Sequence, residues 1–97
     1  PGMIITDEPG IYIEGSHGIR IENELLCVEK KSNEWGRFLG FEILTYAPID
    51  LDAVIPELLS EEEKQWLNVY HTKVYKRLCA HMEDNEKEWL REQTRKI

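Results

Sequence analysis

Thr6-Asp7-Glu8-Pro9-Gly10-Ile11-Tyr12 and Gly18-Ile19-Arg20-Ile21-Glu22-Asn23 lie on either side of a short loop built around Glu14-Gly15-Ser16-His17. Ile11-Tyr12-Ile13 has extended character. Ile19 to Val28 opens with alternation, Ile19 and Ile21 on one face, Arg20 and Glu22 on the other. Two such runs joined by a glycine-containing loop read as a β-hairpin. Pro9-Gly10 reads as a turn or bulge, because Pro fixes φ and Gly permits φ > 0. With the loop centred on Ser16, Tyr12 falls opposite Arg20, and Glu8 falls opposite Glu24 and diagonal to Glu22. A bulge at Pro9-Gly10 would shift this register by about one residue. Side chains two apart on a strand share a face, so Glu8, Tyr12, Arg20 and Glu22 are expected to point the same way. The opposite face, bearing Ile19 and Ile21, is expected to be buried.

Working outward, Met3-Ile4-Ile5-Thr6 is a short β-branched apolar run that precedes the hairpin. Lys30 to Arg37 is charged and polar and reads as a surface loop, and a third strand is predicted around Phe41 to Tyr46. The pattern changes near Pro48. Pro48 to Pro56 is a connector. Ser60 stands three residues before Glu63, the spacing of a capping box. Trp66, Leu67, Tyr70, Val74 and Leu78 then recur at helical spacing, predicting a helix from about Ser60 to His81. Asp84 or Asn85 is the expected N-cap of a last helix holding Trp89 and Leu90, with Arg91, Arg95 and Lys96 near the end that suits the helix dipole. The fold class is α+β: antiparallel strands, then two helices, with a division into residues 1–48 and 49–97.

Composition narrows the function classes. The 97 residues suffice for one small domain, and 41% are hydrophobic, so an ordered core is expected. The net charge of −7 disfavours nucleic acid, whose phosphates require clustered Lys and Arg. No apolar run is long enough to cross a bilayer, so no membrane partner is expected. The chain opens Pro1-Gly2-Met3, without an initiator methionine at position 1, so a fragment or a processed product is expected. Cys27 and Cys79 are far apart and in no zinc spacing. They read as reduced thiols of a cytoplasmic protein, a single disulfide being the alternative.

The shared face carries the chemistry. Two carboxylates converging on a sheet face repel unless they are solvated or a cation sits between them, and carboxylate oxygens suit hard divalent ions such as Mn²⁺. Arg20 and Tyr12 add a guanidinium fork and a phenol that could orient a carboxylate or a carbonyl. From spacing alone, an exposed sheet face decorated with charges is the favoured reading of these residues. His17 belongs to the loop, and His71 and His81 to the predicted helix, where surface or half-buried positions are the ordinary reading. Trp35, Trp66 and Trp89 read as packing or interface anchors. Glu61-Glu62-Glu63 suits a helix N-terminus.

The two flanking stretches resemble the last two metal-site motifs of the Xaa-Pro aminopeptidases and prolidases, the proline-specific branch of the pita-bread (creatinase/aminopeptidase) metallopeptidases. Phe41-Glu42-Ile43-Leu44-Thr45, Pro48-Ile49-Asp50, Trp66-Leu67-Asn68 with Tyr70-His71, and Glu88-Trp89-Leu90 with Thr94 are similar to the three-domain Xaa-Pro aminopeptidases in particular. The resemblance spans nearly the whole chain. It implies the C-terminal portion of the pita-bread fold and two divalent metal ions, Mn²⁺ with Zn²⁺ as the alternative. It makes Glu8 a ligand of one metal and carboxylate partner of the attacking water, and Glu22 the ligand bridging both. Tyr12 and Arg20 match residues that hydrogen-bond near the site. It implies a hydrolase of peptides with proline at the second position, a homodimer, and remaining ligands supplied upstream, so that the chain alone is expected to be inactive. The alternatives are a prolidase, a non-catalytic pita-bread binding protein, or a helical module serving mainly as an interaction surface.

Overall fold

Gly15 sets the first hairpin. The turn Ile13–Ser16 closes through a hydrogen bond donated by the Ser16 amide to the Ile13 carbonyl at 3.0 Å, with Gly15 at φ +70°, a conformation that glycine adopts without a Cβ clash. The computed structural model describes residues 1–97 and divides them into two compact units, 1–45 and 46–97.

The first unit holds five strands: β1 (Ile4–Asp7), β2 (Gly10–Ile13), β3 (His17–Arg20), β4 (Asn23–Asn33) and β5 (Gly36–Ile43). β2 and β3 form a two-stranded antiparallel ribbon. β1, β4 and β5 form a three-stranded sheet in the order β1-β4-β5. Ile13 pairs with His17, Tyr12 with Gly18 and Gly10 with Arg20. Asp7 pairs with Asn23 and Ile4 with Leu26. Both ladders are therefore centred on Gly15, one residue earlier than the Ser16 centre expected, and no bulge shifts the register between them. The ladder is interrupted at Pro9, which has no N–H to donate, while its carbonyl still accepts from the Ile21 amide at 3.1 Å. Gly10 begins a strand at an ordinary φ and is not part of a turn.

The charged stretch Lys30–Arg37 is not a loop. β4 and β5 run through it as a hairpin with the two-residue turn Glu34-Trp35, and Lys30 is the extra residue of a β-bulge between Glu29 and Lys31. Asn33 Oδ1 accepts from the Trp35 amide at 2.9 Å, and Gly36 takes φ +133°. Cross-strand ion pairs Lys30–Glu42 (2.9 Å) and Arg37–Glu29 (3.7 Å) flank it. An exposed ribbon carries charge without desolvation cost, so polarity there does not argue against a strand. The third strand accordingly begins at Gly36 and not near Phe41. Ile19 and Ile21, expected to be buried, are 54% and 47% exposed. A two-stranded ribbon buries a face only when another layer packs on it, and none in this unit does so.

In the second unit, 3₁₀ turns at Leu51–Ala53 and Pro56–Leu58 precede α1 (Glu61–Leu78), and a further turn at Cys79–His81 precedes α2 (Asp84–Gln93). The capping box forms as predicted. Ser60 Oγ accepts from the Glu63 amide at 3.2 Å, and the Glu63 carboxylate accepts from the Ser60 amide at 2.8 Å. The Ser60 amide, and after it the Ser60 hydroxyl, which donates to the same carboxylate oxygen at 2.8 Å, favour the ionised carboxylate and hold its pKa below the usual value. The N-cap of α2 is Glu83, not Asp84 or Asn85. Its amide donates to Glu86 at 2.8 Å, so the box motif sits one residue earlier than the Asx side chains suggested.

The core of this unit is formed by Leu51, Val74, Leu90 and His71, the last three fully buried. Trp66, expected in the apolar stripe, is 64% exposed, and the buried face is rotated toward His71. His71, expected at or near the surface, accepts from the Ile49 amide through Nε2 at 3.0 Å. Its tautomer therefore carries the proton on Nδ1, and buried Nδ1 has no hydrogen-bond partner. Burial pushes the His71 pKa down, assisted by the Arg95 charge and opposed by the Arg95 main chain, which does not complete a hydrogen bond to Nδ1. Because the folded pKa lies below the unfolded one, acid favours the unfolded state, and stability is lost as pH falls from about 6.5 toward the lowered folded value. The thermal midpoint of the chain should fall between pH 7.5 and pH 5, and His71→Gln should flatten that dependence relative to wild type. Parallel curves for the two proteins would refute this role for His71.

Candidate functional site

The constant register decides which side chains share a face of the first hairpin. On one strand these are Glu8, Gly10 and Tyr12; on the other, Gly18, Arg20 and Glu22. The four residues singled out from the sequence thus lie on one face, with different partners from those expected. Tyr12 stands opposite Gly18 and not Arg20, and Thr6, not Glu8, stands opposite Glu24. Since Asp7 pairs with Asn23 and Gly10 with Arg20, Glu8 and Glu22 face each other across the Pro9 interruption.

Arg20 links the group. Its Nε forms an ion pair with Glu22 Oε2 at 3.0 Å, and the Tyr12 hydroxyl lies beside its guanidinium. The Tyr12 hydrogen bond and then the Glu22 charge hold the Arg20 pKa above its ordinary value, with a smaller contribution from Glu8. Both partners of the Arg20–Glu22 pair remain partly exposed, their side chains 52% and 37% accessible, so solvent screens their attraction and the pair orients more than it stabilises.

Two further residues, Thr6 and Thr45, support this face and were not found from the sequence. Thr6 Oγ1 donates to Glu8 Oε1 at 2.5 Å. This pair is two apart on the same strand face, so strand periodicity could have revealed it. Thr45 accepts from the Glu24 amide at 3.0 Å and donates to Asn23 Oδ1 at 2.7 Å. It fastens the end of the unit to the residues that follow Glu22. Nothing in local spacing signals a contact between residues so far apart in sequence. His17 pairs with Ile13 on the other face, and its Nδ1 lies 2.9 Å from Ser16 Oγ.

Glu8 and Glu22 are chemically suited to a hard divalent cation, since carboxylates are its preferred ligands. No group of three or more His, Cys, Asp or Glu side chains comes together anywhere in the chain. These residues can therefore supply two donors to a metal centre but do not enclose one.

Comparison with known proteins matches residues 1–29 to metallopeptidase family M24 and residues 37–97 to the C-terminal region of peptidase M24. Probable Xaa-Pro aminopeptidase P of Ajellomyces capsulatus (strain NAm1 / WU24) is 40% identical over 102 residues, covering 100% of this chain and 16% of that protein. The similarly named protein of Talaromyces marneffei is 39% identical over the same shares. Among solved structures, the X-prolyl aminopeptidase from Caenorhabditis elegans, described as a cytosolic enzyme with a di-nuclear active site, superposes with a TM-score of 0.83 at 39% identity. It covers 97% of this chain and 16% of its own. The chain thus spans about 16% of the length of the relatives it matches. Its antiparallel strands followed by two helices are the C-terminal part of the pita-bread fold. Sequence matches over both units and the superposition of their fold agree: this chain belongs to metallopeptidase family M24, and residues 37–97 are the C-terminal region of that family.

Proposed function

We propose that this chain is the C-terminal part of a metal-dependent aminopeptidase that hydrolyses the bond between an N-terminal residue and a penultimate proline. The observation that carries this reading is the gathering of Glu8, Tyr12, Arg20 and Glu22 on one strand face, in a chain 40% identical to a probable Xaa-Pro aminopeptidase P. The match of residues 37–97 to a C-terminal region of the family supports an aminopeptidase over a prolidase.

In this reading Glu8 and Glu22 would provide two carboxylate ligands of a dinuclear centre, and the remaining donors would come from other parts of the protein. When bound, a pair of divalent ions, Mn²⁺ with Zn²⁺ as the alternative, supplies Lewis acidity toward the scissile carbonyl and an activated water. Arg20 fixes Glu22 through Oε2, and a carboxylate retains enough lone pairs to serve a guanidinium and a metal together. Thr6 engages Oε1 of Glu8, leaving Oε2 to take the proton of the attacking water as general base. Tyr12, held at Arg20, presents a hydroxyl toward the substrate carbonyl or its tetrahedral oxyanion.

Residues 1–48 are assigned to the catalytic domain and residues 49–97 to a helical extension. The name of the Caenorhabditis elegans relative supports a cytosolic location and a dinuclear site. Trp66 and Trp89 are 64% and 55% exposed in the extension, and a closed two-fold dimer is the commonest way a soluble protein covers such groups.

The 97 residues alone, having two donors only, should not turn over Xaa-Pro peptides with added Mn²⁺; measurable turnover by the pure chain would contradict this. In the full-length protein, Glu22→Gln and Glu8→Gln should each abolish activity and lower bound metal, read by a peptidase assay and elemental analysis. Wild-type values in either variant would remove the assignment. Deleting residues 49–97 from the full-length protein should yield a monomer or an aggregate, and a stable dimer by light scattering would exclude the extension as the interface.

A further inference from the structure

The glycines of the two hairpins divide into two kinds. Gly15 and Gly36 have positive φ and are required by their turns. Gly10 and Gly18 do not; they lie within strands at φ values open to any residue. Glycine in a strand weakens it, so a reason other than backbone freedom is needed there, and close approach of another group is the usual one.

The approaching group is Tyr12. A Cβ built on Gly18 would stand 2.9 Å from Tyr12 Cδ1, and one built on Gly10 would stand 2.8 Å from the Tyr12 hydroxyl and 3.0 Å from the Ile19 carbonyl oxygen. Cβ atoms do not occupy such distances, so something would have to move. At Gly40 the close neighbours are the methylenes of Lys30, a flexible stem that can swing aside. At Gly18 the neighbour is a ring carbon near the root of Tyr12, which cannot move without carrying the whole ring with it. The ring therefore lies flat along the strand pair, with Gly18 beneath one edge and Gly10 beneath the hydroxyl. Gly10 is the cross-strand partner of Arg20, so a ring lying in this direction delivers its hydroxyl to the guanidinium.

We propose that Gly10 and Gly18 are positioning residues: by offering no side chain, they form a floor on which the Tyr12 ring lies so that its hydroxyl meets Arg20. This rests on the reading of Tyr12 and Arg20 as site residues given under Proposed function. Lifting the ring would leave Arg20 to Glu22 alone and carry the phenol away from the face where Glu8 and Glu22 converge.

A double-mutant cycle between Gly18→Ala and Tyr12→Ala in the full-length protein tests the floor, with kcat and KM on an Xaa-Pro peptide and the thermal midpoint as readouts. Gly18→Ala should lower kcat/KM by about tenfold to a hundredfold, mainly through kcat, as small displacements of catalytic groups do. In the Tyr12→Ala background the same substitution should change kcat/KM by less than about twofold. Equal losses in both backgrounds, or no loss while Tyr12 is present, would overturn the proposal. If Gly18→Ala prevents folding, adding Tyr12→Ala should restore it; failure of that rescue, and of the same rescue for Gly10→Ala, counts against the floor. If Tyr12→Ala alone keeps wild-type kcat/KM, the assignment of Tyr12 to the site falls. The floor is then judged by the thermal midpoints, which Gly18→Ala should lower only when Tyr12 is present.

Discussion

The turn at Gly15 is the constraint on which the first unit depends. A positive φ at this residue closes the loop in three residues and centres every pair of the two inner ladders on it. Because side chains alternate along a strand, a register shift of one residue would send half of the polar face to the other side. With the centre at Gly15, Glu8 and Glu22 face each other, Gly18 lies beneath Tyr12, and Arg20 stands opposite Gly10. Pro9 then breaks the ladder where those two carboxylates meet, by lacking a donor, while its carbonyl keeps the strands together through Ile21. The interruption leaves the register unchanged, so the chain opens at the carboxylates without losing the alignment that brings them together.

The second unit is held by a different principle. Its apolar core is small, and polar groups on α1 fix the irregular segments around it. His71 accepts from the Ile49 amide, and the Tyr70 hydroxyl donates to the Ala47 carbonyl at 2.7 Å. The Asn68 side-chain amide binds both the amide and the carbonyl of Ile97. Arg95 reaches Asp52 at 2.9 Å. The bonds from His71, Tyr70 and Asn68 give main-chain groups side-chain partners, which is how irregular backbone can lie against a helix, whereas the Arg95–Asp52 pair remains largely exposed. The cost is concentrated at His71 Nδ1, the buried polar side-chain atom left without a partner.

The two units differ in how their apolar residues are used. In the second, Val74, Leu90 and Leu51 are buried. In the first, Ile11, Ile19, Phe41 and Leu39 are each at least half exposed, although the strands that carry them are regularly paired. Main-chain pairing and apolar burial are separable contributions in a β ribbon, and here only the pairing is completed within the chain. The proposed site sits on this uncovered unit, consistent with a chain that spans 16% of its relatives and supplies two of a larger set of donors.

Strand alternation placed Glu8, Tyr12, Arg20 and Glu22 on one face from the sequence alone, and the Ser60–Glu63 spacing located the start of α1 to the residue. Both are local, since each depends on residues within a few positions and on the repeat of the backbone. The exchange of Trp66 for His71 in the core was not legible, because helical periodicity defines a stripe but not which edge of it a neighbouring segment covers. The β4–β5 hairpin was hidden because an exposed ribbon tolerates charge at every position, so polarity carried no information about pairing. The partner of Tyr12 depended on whether the loop turned at Gly15 or at Ser16, two turns of similar local chemistry. Thr45 reaches Asn23, 22 positions away in sequence, a contact with no local signature. Periodicity determined which side chains could meet; loop closure and long-range packing decided which of them did.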